Sequence, residues 1–264
     1  MLSTIKEVIS EKDLLFILAK RDITVRYKQT LLGILWAIIR PVATMFVFIF
    51  AFKQMPSLTT SHTYPFQLLL FSGILVWNYF ANSFQAVSNS LLVNSNLISK
   101  VYFPRLVIAF SSVAVSVLDL LIGLIVYIIL SLYYLQTVSF NVIYFPFIMI
   151  VVTFFSVGLG LILGSYSVKY RDILQIIPIV VQYGFFISPV VFSVDSIINK
   201  NWFDFYLLLN PVVGLIELAR QTLITGYSTI NYMHILITIF SSFLCFIIGI
   251  LIFKKREDSF VDHL

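Results

Sequence analysis

Formal charge is missing from most of this chain. Residues 106–168 carry a single charged side chain, Asp119, and residues 173–194 and 221–253 carry none. Uncharged apolar stretches of about 18 residues or more read as transmembrane helices. Backbone polar groups in lipid must pair within their own segment or within a closed barrel, and these runs are too long for barrel strands. The chain therefore reads as an all-α integral membrane protein. Composition agrees: of 264 residues, 60% are hydrophobic and 11% charged, and mean hydropathy is +1.00. An ordinary soluble domain is about 25% charged. Even a 300-residue soluble fold buries only about 75% of the surface its unfolded chain exposes. A soluble enzyme, a nucleic-acid-binding domain and a disordered chain are all excluded by this balance.

Hydropathy and punctuation predict six spans, at about 31–52, 66–91, 104–135, 143–168, 173–194 and 230–253. Pro104 suits a first helical turn, and Pro178 and Pro189 predict kinks in the fifth span. Residues 1–30 predict a cytoplasmic amphipathic segment lying in the membrane interface. A capping box at Thr4–Glu7, a second cap at Ser10 and an apolar stripe of Ile5, Val8, Ile9, Leu15, Phe16 and Ala19 support it. A soluble docking helix has the same periodicity. These residues hold ten charges and no apolar core before Leu31, so the expectation is insertion through the chain's own spans rather than through a signal peptide. Residues 255–264 form a tail.

Between the fifth and sixth spans, at 195–229, lie two apolar pieces too short to cross a core of about 30 Å. They predict a re-entrant outer region, with a helix over 211–225 capped by Asn210, started by Pro211 and stopped by Gly226. A surface helix resting on lipid is the alternative. Glu217 and Arg220, at i and i+3 on this helix, are placed to pair on its wetter face, and its apolar residues are expected to pack against the ends of the first and fifth spans. Placing the N-terminus inside puts 14 of the 17 Lys and Arg residues on the inner side or in the inner half of the first span, leaving Lys53, Lys200 and Arg220 outside. Both termini are thus expected in the cytoplasm.

No catalytic constellation is visible. His62, His234 and His263 are scattered, Cys245 is alone, and there is no GxSxG, HExxH or glycine-rich phosphate loop. The polar residues inside spans say more. Asn78, Asn82, Gln85 and Asn89 fall on one helical face, as do Gln175, Gln182 and Phe186. Such stripes face water or other helices. Both a hydrophilic conduit and plain interhelical hydrogen bonding remain open. Asp119 and Arg40 are the intramembrane ionisable residues. Structural pairing along a seam of Ser112, Ser116 and Gly123 suits Asp119, and snorkelling suits Arg40. Gly160 and Gly164 allow close helix packing.

The run from Arg21 to Trp36, with Arg40-Pro41, resembles the N-terminal signature of permease subunits of ABC-2 type polysaccharide exporters, which move O-antigen, capsule or teichoic acid chains. Phe103-Pro104-Arg105, Tyr170-Arg171-Asp172, Ser188-Pro189-Val190 and the stretch from Asn210 to Glu217 follow in family order and extend the likeness over nearly the whole chain. Arg40 is a departure, since the family often has an uncharged residue before the proline.

The resemblance implies a homodimer in the bacterial inner membrane, paired with two copies of a separate ATP-binding cassette subunit that would hold ATP and Mg. This chain would carry no cofactor or metal and would not itself be an enzyme. It implies an undecaprenyl-linked glycan threaded outward between the permeases, among membrane lipids and without nucleic acid. It also implies that the outer helices, with Asn210, Pro211, Leu215, Ile216 and Leu218, gate the exit. Leu97, Ile98, Ser99, Lys100, Val101, Tyr170, Arg171 and Asp172 are the expected coupling contacts to the ATPase. An ABC-2 drug or lipid exporter would share this fold, and an ion-coupled secondary transporter is a more distant alternative.

Overall fold

The computed structural model describes residues 10–28, 31–52, 64–101, 103–136, 139–257 and 260. Thr4–Glu7, Ile5, Val8, Ile9, Lys53, His62 and His263 lie outside the described residues. Eleven α-helices occur among the described residues: α1 Lys12–Lys28, α2 Trp36–Phe52, α3 Phe66–Val93, α4 Ser95–Ile98, α5 Leu106–Ser112, α6 Ala114–Tyr133, α7 Phe145–Ser167, α8 Ile173–Ile187, α9 Phe203–Leu209, α10 Val212–Leu223 and α11 Tyr232–Arg256. Among these residues there is no β-strand.

Four segments are long and apolar enough to cross a bilayer: Gly33–Phe52, Leu106–Tyr133, Phe140–Ser167 and Tyr232–Arg256. They correspond to the expected first, third, fourth and sixth spans. The second expected span, α3, has 28 residues, about 42 Å at 1.5 Å per residue, but its amides lower its hydropathy. The fifth differs from expectation. Helix α8 stops at Ile187 after 15 residues, about 22 Å, instead of running to 194. Pro189 restricts the residue before it to extended backbone, and Ser188 sits at φ −83, ψ 152. Pro189 therefore ends the helix rather than kinking it, and only Pro178 lies inside. The third span is also divided, into α5 and α6 at Val113, which keeps right-handed helical angles.

Helix α3 is the hub, in contact with α2, α5, α6, α7, α8 and α10. Twenty of its 28 residues are buried. Glycines set how closely its neighbours approach. A Cβ on Gly160 would lie 2.7 Å from the Val87 side chain, and one on Gly164 would lie 3.1 Å from the Ser88 carbonyl oxygen. This pair therefore seats α7 on α3. On the other side of α7, a Cβ at Gly249 would come within 2.4 Å of the Gly158 carbonyl oxygen, so α7 and α11 meet backbone to backbone. Phe185 of α8 stacks on Phe48 of α2 at 5.3 Å and meets Trp77 of α3 edge-on at 6.0 Å.

Helix α1 packs on α5 and α6. Its buried residues are Leu18 and Ala19, with Leu14 and Leu15 half-buried. Phe16, assigned to the apolar stripe, is exposed because Leu14, Leu15, Leu18 and Ala19, four apart in pairs, make the packed face and Phe16 and Ile17 fall on the opposite one. Arg105, the end of α7 and the end of α11 share one end of the bundle. There Arg105 donates to the Glu257 carbonyl, and the Arg256 guanidinium lies 3.7 Å from the centre of the Tyr166 ring.

Candidate functional site: a polar cleft beside the central helix

Most of the half-buried residues of α3 belong to the amide stripe. Asn78, Asn82, Gln85 and Asn89 are each half-buried and line one cleft formed by α1, α2, α3, α5 and α6. Its inner part is a cavity of about 480 Å³ between Trp36, Arg40, Leu75, Asn78, Asn82 and Asp119. Its outer part is a cavity of about 650 Å³ bounded by Arg21, Arg40, Asn82, Gln85, Asn89 and Ser116. Arg26, Arg40 and Asn82 belong to both. Asn89 donates 2.8 Å to the Gln85 carbonyl of its own helix. Among the described residues none of the four amides hydrogen-bonds to another helix, so interhelical bonding does not explain the stripe.

Helix α1 supplies three of the cleft's five charged side chains, Arg21, Asp22 and Arg26. Arg26 pairs with Asp119 Oδ2 at 2.7 Å, and the Tyr27 hydroxyl donates to Oδ1. Burial first, and then the Asp119 carboxylate, push the Tyr27 hydroxyl well above its ordinary range, so it remains a donor. Asp119 is thus held by residues some 90 positions earlier, and the Ser112–Ser116–Gly123 seam beside it lines the cleft wall instead. Arg21 bonds Asp22 and, at 2.7 Å, the Asn94 side-chain oxygen at the end of α3. Arg40 has its guanidinium 5.7 Å from the centre of the Trp36 ring. Among the described residues it has no carboxylate partner.

The other expected site residues lie elsewhere. Gln175, Gln182 and Phe186 are exposed on the far side of α8, along with Ile176, Ile179 and Tyr183, and do not share the cleft. At the basic end Ser99, Lys100, Val101, Tyr170, Arg171 and Asp172 are exposed. Ile98 is buried, and Leu97 packs on the core, because the single turn of α4 folds its apolar side back against the bundle. These two residues are therefore not free to fill a partner's groove.

At the opposite end α10 packs on α3, α7, α11 and α9, and it meets the end of the expected fifth span through Arg220, at the Val190 and Phe192 carbonyls. Leu215 and Ile216 are buried in the core, and Leu218 lines a separate, largely apolar cavity of about 400 Å³. Asn210 does not cap the helix. Its side-chain amide donates 2.9 Å to Ser188 Oγ, tying the start of α10 to the end of α8. Gly226 turns the chain at φ +80, three residues after the helix has ended at Leu223.

The largest difference from expectation is the Glu217–Arg220 pair, which i,i+3 spacing on a short helix suggests is wet. Both side chains are 0% exposed, with 2.6 Å between them. Arg220 also donates to the carbonyls of Leu69, Val190 and Phe192. The second Glu217 oxygen accepts from Tyr227 and Thr229, each at 2.7 Å. Burial, and then Glu217, push the Tyr227 hydroxyl above its ordinary range. Sequence reasoning missed this knot. The available signal was Pro189, which opens the backbone and creates acceptors that a nearby arginine can serve.

A family model described as ABC-2 type transporter matches residues 13–224. The chain is 28% identical over 258 residues to the O-antigen export system permease protein RfbA of Klebsiella pneumoniae, covering 96% of this chain and 95% of that protein. It is 27% identical over 234 residues to the protein of the same name from Myxococcus xanthus, covering 89% and 86%. It is 27% identical over 256 residues to the polysialic acid transport protein KpsM of Escherichia coli, covering 90% and 92%.

Proposed function

The chain belongs to the ABC-2 type transporter family, and we propose that it is the membrane permease subunit of an ATP-driven exporter that carries a polysaccharide out across the bacterial inner membrane. The observation that carries this reading is the end-to-end likeness to proteins named for O-antigen export and polysialic acid transport. The chain is a transport subunit, not an enzyme. Hydrolysis of ATP, with Mg, falls to a separate ATP-binding cassette subunit.

Finer features of the reading rest on physical argument. Six crossings with both termini inside follow from the positive charge at the end of the bundle holding Arg105, Lys169 and Lys254–Arg256. Helices α3 and α8 complete the four strongly apolar spans, and the region 195–229 closes the outer side. Two copies pair through the face of α2 and α8. Phe46, Phe50, Ile179 and Phe186 are exposed there, and Gln182 on the same side needs either a partner or water at membrane depth. Two copies of the ATPase dock on the exposed residues Ser99–Val101 and Tyr170–Asp172. The glycan travels on an undecaprenyl carrier. Helix α10 acts as a fixed outer wall from which Leu218 reaches the exit, with Asn210 and Pro211 at its hinge to α8. O-antigen, capsule and teichoic acid chains are all within this substrate class.

Reconstitution tests the reading. The chain, co-expressed with its ATP-binding subunit and placed in liposomes, should show ATPase activity that rises with lipid-linked glycan. Stimulation by apolar drugs but not by glycan would move it to the drug exporters. A chain that purifies without any ATPase and moves substrate on an ion gradient would refute the assignment.

A further inference from the structure

We propose that Arg40 forms the centre of an anion subsite in the cleft beside α3, and that it holds the phosphate of a membrane-anchored ester. The inference rests on the exporter reading, since it identifies which part of a lipid-linked substrate this cleft grips.

Charge accounting singles out the residue. The cleft is lined by three arginines and two acids. Asp22 is taken by Arg21, and Asp119 by Arg26 and Tyr27. One positive charge is left over, and it belongs to Arg40, whose side chain is exposed and lines both cavities. A cation at membrane depth faces water or a counter-charge by default. The described residues supply no counter-charge. The Trp36 ring lies beside the guanidinium, 5.7 Å from ring centre to guanidinium carbon and within cation–π range.

The surrounding groups favour phosphate on a lipid. Asn78 and Asn82 stand across the cleft with amides that bond to no described residue, and they offer neutral donors beside the guanidinium fork. Planar, multiple donation of this kind is what phosphate oxygens take. Asp119 does not repel the ligand at full strength, because its two oxygens are already bonded. The remaining walls are apolar: Leu75 and Leu120 line the inner cavity, and Val93 and Val115 line the outer one. A ligand with a phosphate head and a hydrocarbon tail matches both kinds of wall, whereas a free sugar acid matches one. The phosphate could belong to a polyprenyl carrier or to an ordinary anionic phospholipid, and the chemistry at Arg40 is the same.

The test uses the full chain in phosphatidylcholine nanodiscs, with radiolabelled farnesyl diphosphate as the probe. Wild-type protein should bind it, and unlabelled farnesol should not compete. R40Q should weaken binding by about tenfold or more, the usual effect of losing a charge-assisted hydrogen bond. R40K should retain part of the affinity, because the charge stays and the fork is lost. Arg40 is exposed and has no ion pair among the described residues, so melting temperatures should be unchanged and a binding loss is not an unfolding artefact. Equal affinity for wild type, R40Q and R40K would overturn the proposal. Displacement of the probe when phosphatidylglycerol is added to the disc identifies bulk phospholipid as the source of the phosphate. Resistance to it identifies the carrier. Surface glycan in a strain lacking the chain separates the two levels: normal export there sinks the exporter reading and leaves the subsite standing. Chain-dependent export with R40Q binding intact sinks only the subsite.

Discussion

Replacing Arg220 with Met should be among the most damaging single changes available in this protein. A guanidinium has five N–H donors, and all five are used: Nε and one Nη2 donor reach Leu69, the other Nη2 donor reaches Val190, and the two Nη1 donors reach Phe192 and Glu217. Met fills similar space but leaves the Glu217 carboxylate buried without its cation. Breaking a buried pair from one side costs about 3–5 kcal/mol. For a protein of this size, 1 kcal/mol moves the midpoint by about 2–4 °C, so the expected loss is about 6–20 °C. Glu217→Gln should do comparable harm by stranding Arg220. The double change Glu217→Leu with Arg220→Met should cost less than the two single changes added together, because it leaves no buried charge uncompensated. The assay is loss of the monodisperse size-exclusion peak after heating in detergent, with all variants heated identically. An exposed i,i+3 pair is worth about 0.2–0.5 kcal/mol. A shift of only a degree or two for R220M, or a harmless E217Q, would mean that the pair is wet and the knot does not form.

Three other perturbations have definite signs. Asp119→Asn should loosen α1 from α6 by about 1–3 kcal/mol through loss of the charged acceptor for Arg26 and Tyr27, read as faster alkylation of a cysteine placed at buried Leu18. Gly249→Ala, which in an ordinary helix interior gains up to about 1 kcal/mol, should instead lower thermal stability, because the new methyl group meets the Gly158 carbonyl oxygen. Ser83→Ala should be neutral or raise the melting midpoint, since Ser83 Oγ is a buried donor with no partner among the described residues; a clear loss would reveal a hydrogen bond or water at that site.

Local signals carried the spans well wherever apolar runs were bounded by charge or proline. Phe145–Ser167 and Tyr232–Arg256 lie within a few residues of their expected limits. The amide stripe on α3 was also legible, because helical period alone puts Asn78, Asn82, Gln85 and Asn89 on one face. Period could not say what that face meets. The α8 stripe has the same pattern, yet it lies on the outside of the chain, since only tertiary packing decides which helices surround which. The partners of Asp119 were hidden for a similar reason: Arg26 is 93 residues away, and no periodicity links them. The wet reading of Glu217 and Arg220 failed because spacing reports proximity and says nothing about burial.

The early stop of α8 also constrains the order in which the protein can be made. The carbonyls of Val190 and Phe192 are left open by Ser188-Pro189, and Arg220 lies 30 residues after Val190 and 151 after Leu69. At about 5–20 residues per second, the Val190 and Phe192 carbonyls wait about 1–6 s for their donor after they are synthesised, whereas the Leu69 carbonyl, inside α3, already accepts from Ser72 Oγ. Over that interval these oxygens must be served by water or by the insertion machinery. Arg220 in turn reaches the bilayer with Glu217, three residues earlier, as its local partner, and its remaining donors, on a cation whose insertion alone costs about 2.5–3.5 kcal/mol, need the cradle already folded. The C-terminal third of the nascent chain is therefore obliged to settle against a preassembled α3, so truncations that remove α3 should leave the later segments stalled at the membrane surface.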